Sequence, residues 1–213
     1  MSDSFDGGER KETGLALLFR IAIKKLLSLI ALNLLFSVSV LPVVTLPNAL
    51  AALYRCVGLI LREEDFPLGK TFFAAFKSEF FKTLASGWVV LLLLLGAVYG
   101  AVFYWSVSAS AALVFAMLCT VMAVYFYLTA CNLFYMLSRV RLPFGALLKN
   151  AFLMVFLQPI GSTAVCLLSF LVLAATAWWF PRTLPIIVLI ACSFAALLAC
   201  YGVRDKIEKD IVS

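Results

Sequence analysis

Arg55 stands inside an apolar run of this 213-residue chain, seven positions ahead of the charged stretch Arg62-Glu63-Glu64-Asp65. That spacing separates the two arginines by roughly 10 Å of helix. An arginine so placed can snorkel to headgroups, pair with a carbonyl at a helix end, or hold a ligand. The three carboxylates can cap a following helix or pair with Lys70, and solvated loop charge is their ordinary state. Nothing in the sequence encloses them, so no acid/base pair follows. Asn33, Asn132, Asn150 and Gln158 lie at or near apolar runs, where amides hydrogen-bond between helices or meet a polar substrate. Cys56, Cys119, Cys131, Cys166, Cys192 and Cys200 show no C-x-x-C spacing and read as buried thiols acting as small hydrophobes. The chain has no histidine. With it go the commonest general base and metal ligand, and every familiar catalytic triad. No phosphate-cradling glycine loop, nucleophile elbow or metalloprotease helix is present either. The expectation is a protein that is not an enzyme, with no catalytic residue, no metal and no cofactor.

These residues must be positioned by elements that lie in lipid. The chain is 65% hydrophobic and only 13% charged, with a mean hydropathy of +1.10. A soluble fold could not hide that much apolar surface. About 20 helical residues cross a hydrocarbon core of ~30 Å. Phe19–Leu41, Leu46–Leu61, Leu84–Trp105, Ala111–Leu137, Gly161–Phe180 and Thr183–Val203 are read as six crossings. The fold class expected is an all-α polytopic transmembrane helix bundle, about six spans arranged as three hairpins, with interfacial amphipathic helices.

Charge placement tests that count. Arg10, Lys11, Arg20, Lys24 and Lys25 precede the first span, and Arg62, Lys70, Lys77 and Lys82 follow the second. Arg139, Arg141 and Lys149 follow the fourth, and Arg204, Lys206 and Lys209 end the chain. Six crossings put all of these on one side with only Arg182 opposite, and the positive-inside rule makes that side cytoplasmic. The chain is therefore expected to be multi-pass in a bacterial cytoplasmic (plasma) membrane with both termini cytoplasmic. Residues 1–12 would be an uncleaved flexible tail, 13–203 the transmembrane domain and 204–213 a cytoplasmic tail. Leu46–Leu61 is short and contains Arg55. If it failed to cross alone the charge bias would collapse, so both arms of the first hairpin cross, or both dip in and return; crossing is the expectation. The net charge of +6 is assigned to membrane lipids and not to nucleic acid, because the basic residues flank apolar runs.

Three segments beginning at Gly14, Gly69 and Gly145 each open with glycine and carry basic residues, a loose threefold pattern. In the second, Leu68, Phe72, Phe76, Phe80 and Leu84 recur every four residues, which predicts an amphipathic helix at the membrane interface. Gly96 and Gly100 form a G-x-x-x-G that lets another helix approach. Pro159 with Gly161 predicts a bend, and Pro42 and Pro47 predict another at the outer end of the first hairpin. There, Leu41 and Leu46 are biased toward extended backbone, Pro47 suits the first turn of a new helix, and Thr45 can cap it.

The run Leu32–Arg55 resembles the signature of the YesL family of bacterial membrane proteins, a family of unknown function. The residues carrying the likeness are Asn33, Leu41, Pro42, Val43, Val44 and Thr45, followed by Ala49, Ala51, Ala52, Leu53 and Tyr54. Phe72, Phe73, Phe76, Lys77, Phe80 and Phe81 fit the Phe- and basic-rich segment that follows in the family. Ser78-Glu79 stands where an asparagine is expected, and Leu46-Pro47 replaces a more usual Ile-Gly. The resemblance implies an accessory or scaffold role beside carbohydrate ABC-transporter subunits, with Asn33, Pro42, Thr45, Pro47 and Arg55 as motif or cavity residues. The alternative is a small-solute facilitator or transporter whose cavity lies near the Pro42–Pro47 bend, where broken helices bind substrates. The residues alone fix no oligomeric state.

Overall fold

The computed structural model describes residues 15–107, 110–179, 182 and 187–207. Residues 1–14 with the acidic tail and Gly14, residues 108–109, Phe180, Pro181, residues 183–186, and the C-terminal residues after Ile207 lie outside the described residues. Among the described residues the fold is all-α. Its helices are α1 Leu15–Lys24, α2 Leu26–Ser39, α3 Leu46–Leu61, α4 Leu68–Lys77, α5 Phe80–Ser106, α6 Ser110–Arg139, α7 Phe144–Leu157, α8 Ile160–Trp178 and α9 Cys192–Ile207. A 3-10 turn, Val43–Thr45, precedes α3, and a π-helical turn, Ile187–Ala191, leads into α9. Each glycine-opened segment becomes a short helix followed by a break and then two longer helices, so the loose threefold pattern is an order of elements.

The breaks have local causes. Lys25 leaves helical geometry at φ −109°, ψ 23° and divides the expected Phe19–Leu41 helix into α1 and α2. Pro159 forces Gln158 to φ −70°, ψ 132°, and α7 and α8 meet there at 109°. Between α4 and α5 the chain turns through Ser78 and then Glu79, which sits in the left-handed region at φ 47°. A residue with a Cβ is strained there by about 1 kcal/mol or more.

Helix length adjusts the count of crossings. Among the described residues, Val43–Leu61, Phe80–Ser106 and Ala111–Arg139 are long and apolar enough to cross a membrane, and the bent pair α7–α8 makes up to four. Leu26–Ser39 and Leu189–Arg204 are shorter apolar helices. At 14 residues α2 is only about 21 Å long. The break at Lys25 is what shortened it.

The corner between α2 and α3 packs against the first third of α5. Trp88 Nε1 donates to the Val44 carbonyl at 2.9 Å, and a Cβ at Gly87 would fall inside van der Waals contact of the Pro47 ring. Trp88 is eight positions into α5, and α5 runs 18 positions further to Ser106. The corner is therefore about 12 Å along α5 and some 27 Å short of its far end. The sequence alone predicts the corner at the outer end of the first hairpin. α3 then packs against α4, α6 and α9, burying Ala49, Ala52, Leu53, Cys56 and Val57 completely.

α4 also departs from a purely interfacial helix. Phe72 is fully buried, while Phe73 and Phe81 are the exposed rings. Every member of the expected lipid-facing stripe, Leu68, Phe72, Phe76, Phe80 and Leu84, is buried or half-buried.

Candidate functional site

Thr45 does not cap α3. Its side chain makes no cap hydrogen bond; the hydroxyl reaches back to the carbonyls of Ser39 at 2.7 Å and Pro42 at 2.8 Å. A hydroxyl has one proton to donate, so Thr45 ties the frayed end of α2 to the 3-10 turn. Leu46 is helical at φ −47°, ψ −47°, against the extended bias that a following proline imposes. The tight turn closed by Thr45 overrides that bias, and Pro47 takes the N-terminal turn of α3 as expected. Ser39, Pro42 and Thr45 line a groove of about 440 Å³ whose remaining walls, Leu34, Leu35, Val38, Phe73 and Phe76, are apolar. The Thr45 hydroxyl there is already committed to carbonyls of its own turn.

Asn33 is fully buried in α2. Its Oδ1 accepts the backbone N–H of Ser193 at 2.9 Å, in the first turn of α9 where helix N–H groups lack partners. Asn33 therefore works as an interhelical cap across the π-helical break. Asn48, which the sequence reading passed over, is buried at the start of α3. Its Nδ2 points to the carbonyls of Phe76 at 3.4 Å and Phe80 at 3.3 Å, bridging the α4–α5 break. Gln158 Nε2 reaches Cys166 Sγ at 3.9 Å. All six cysteines are free thiols, with Cys166 and Cys200 directed at the carbonyls of Ala199 and Tyr54.

Arg55 leads to a different place. Its Nη1 donates to the Ser138 carbonyl in the last turn of α6, where carbonyls lack helical partners and the helix dipole is negative. The same side chain lines a cavity of about 500 Å³ between α3, α4, α5 and the α6–α7 link. Arg139, Arg141 and Glu79 supply its other charges, and Thr71, Ser78, Thr83 and Ser138 its hydroxyls. Lys82 forms an ion pair with Glu79 and donates to the Leu142 carbonyl at 2.9 Å. With Arg55 and Arg141 on its wall and its one lining carboxylate already paired with Lys82, this is an electropositive, hydroxyl-lined chamber. It can hold an anion and has no evident nucleophile–base pair.

The five sequence candidates thus separate. Arg55 faces the cavity, Pro42 and Thr45 the groove, and Asn33 and Pro47 are held in packing. The cavity's α4 wall could have been found from Thr71, Ala74, Ala75 and Ser78, whose three- and four-residue spacing puts small and polar side chains on one helical stripe. The aromatic stripe beside it drew attention instead. The acidic cluster pairs backward in sequence: Lys24 with Glu63 at 2.9 Å, Lys25 with Asp65 at 3.1 Å. Of the two alternatives to solvated loop charge, α4 has no side-chain cap, and the pairs given to Glu63 and Asp65 are with Lys24 and Lys25 in place of Lys70. Lys24 holds the exposed Glu63 carboxyl below its ordinary range, chiefly by that hydrogen bond.

Residues 29–101 match the profile of a family described as "Protein of unknown function, DUF624". The match spans the corner, α3, α4 and most of α5, and stops before the α6 wall of the cavity. No curated protein and no solved structure matches the chain.

Proposed function

We propose that this chain is a non-catalytic accessory or scaffold subunit of a bacterial cytoplasmic membrane, working beside carbohydrate ABC-transport components. The observation that carries the reading is where the corner's polar groups go. Asn33 caps α9, Thr45 closes its own turn, and Asn48 bridges a helix break. These groups hold helices together and do not line a shared path. The likeness of Leu32–Arg55 to YesL proteins supplies the partner class, an argument by analogy. The outer halves of α5 and α6 supply a contact surface within the bilayer, with Leu95, Val102, Val114 and Leu118 exposed.

In this reading both termini are cytoplasmic, and the arginine-lined cavity lies at that face, where the positive-inside rule places Arg139 and Arg141. A small-solute facilitator is the weaker reading, because it needs Asn33, Thr45 and Arg55 on one route. The test is co-purification of a tagged, functional chain from native membranes. Recovery of a permease or ATPase subunit is expected, and its repeated absence under mild solubilisation would overturn the assignment.

A further inference from the structure

We propose that the cavity between α3, α4, α5 and the α6–α7 link is a binding site for a hydroxyl-bearing phosphate ester. The proposal does not depend on the accessory role. Charge comes first. Arg55, Arg139 and Arg141 line the cavity, and the single carboxylate, Glu79, is ion-paired with Lys82. A phosphate ester carries up to two negative charges and several acceptor oxygens, and guanidinium groups bind it through paired hydrogen bonds. One carboxylate would call for a single arginine. Size comes next. A chamber of about 500 Å³ is far larger than a bare phosphate and lies within the range of small-ligand sites. Its hydroxyls on Thr71, Ser78 and Thr83 suit a ligand that carries hydroxyls of its own.

The backbone gives independent support. Ser78, Glu79 and Thr83 bring the N-terminal turn of the 27-residue helix α5 to the cavity wall, and Glu79 supplies no side-chain cap there. Helix N-termini favour anions. Glu79 also holds its left-handed conformation on that wall, and such strain concentrates at ligand sites. The same chemistry is offered by a soluble glycerol or sugar phosphate and by a phosphatidylglycerol headgroup.

The experiment uses the full chain in phosphatidylcholine nanodiscs, titrated with glycerol 3-phosphate and, separately, reconstituted with increasing phosphatidylglycerol. Thermal unfolding is the readout, and uncharged glycerol is the control. Arg141→Gln is the informative variant, because Arg141 is exposed at the cavity and Arg55 also holds the end of α6. Lys149→Gln removes a nearby exposed charge that does not line the cavity. The expected result is saturable stabilisation by one source, with about tenfold weaker binding in Arg141→Gln, the scale of one lost charge-assisted contact. Lys149→Gln should leave it unchanged. Response to glycerol 3-phosphate identifies a soluble ligand, and response only to phosphatidylglycerol identifies a lipid. Stabilisation by neither source overturns the site, as does equal weakening by both variants, which would be bulk charge attraction.

Discussion

The segment Val43–Leu61 and the helices α5 and α6 are all of spanning length and composition, yet they differ in what covers them. Within their most apolar windows, 61% of the former is buried inside the protein, against 22% for α5 and 28% for α6. α3 carries Asn48 and Arg55 because neighbouring carbonyls receive them. Beyond Leu91, α5 leans chiefly on α6: Trp105 bonds Thr120 at 3.3 Å and Tyr104 stacks on Phe115. Leu92, Leu93, Leu95, Val98 and Val102 are exposed there, where lipid is as apolar as any partner side chain. Polar residues in an apolar run therefore mark the helix wrapped by protein, and unbroken apolarity marks the one wrapped by lipid.

The largest effect that could break this contrast is one of depth. If the corner lies about 27 Å short of the end of α5, a cysteine at Val44 sits inside the bilayer while one at Tyr104 lies at its outer boundary. Membrane-impermeant maleimide applied from outside should label Tyr104→Cys and leave Val44→Cys at the background of the parent chain. Equal labelling of the two would place the corner outside and restore a full crossing by both arms of the first hairpin.

Glycine substitutions sharpen the same contrast in energy. Gly87 faces the Pro47 ring and Phe134, so an added methyl group has no room and the ring cannot rotate away. Gly87→Ala should lower stability by about 1–3 kcal/mol, the usual effect of overpacking. Gly96 has open space around it. Gly96→Ala should be neutral, or stabilising by up to about 1 kcal/mol through helix propensity. Unfolding of purified variants in one detergent measures both. The G-x-x-x-G is thus divided: a Cβ added at Gly100 would lie 3.0 Å from Cys119 Sγ, and one at Gly96 would meet open space.

Much of this architecture was legible in the residues. Apolar length and glycine and proline punctuation marked the long helices and the breaks at Pro159 and after Ser39, because both signals are local. Depth was not legible. Charge bias is satisfied equally by two arms that cross and two that return, and the corner's level along α5 comes from the contacts of Val44 with Trp88 and of Pro47 with Gly87. Arg55 was recognisable as an intramembrane charge with a helix-end carbonyl as one candidate partner. Its cavity was hidden, because Arg139 and Arg141 arrive from more than eighty residues away and read as positive-inside markers. The role of Asn48 was not legible because its partners are carbonyls on the two sides of a break that nothing in Phe76–Phe80 announces.

The smallest expected effect concerns the other left-handed residue, Glu63, at φ 55°. The end of α3 forms the bond pair that favours glycine there: Glu63 N–H to Ile60 at 3.0 Å and Glu64 N–H to Leu59 at 3.2 Å. Glu63→Gly should relieve that strain and lose the Lys24 contact, two opposed changes that leave stability at pH 7 nearly unchanged. Acid separates them. Because Lys24 depresses the Glu63 carboxyl, its contribution is complete above the ordinary value of 4.5 and is lost as pH falls through the depressed one. The parent then keeps the strain without the contact, so Glu63→Gly should become the more stable chain as the buffer moves below that range. Paired melts at neutral and acid pH test this. A difference that does not change with pH would mean that the contact with Lys24 contributes nothing, as surface pairs often do, and that the position is set by backbone geometry alone.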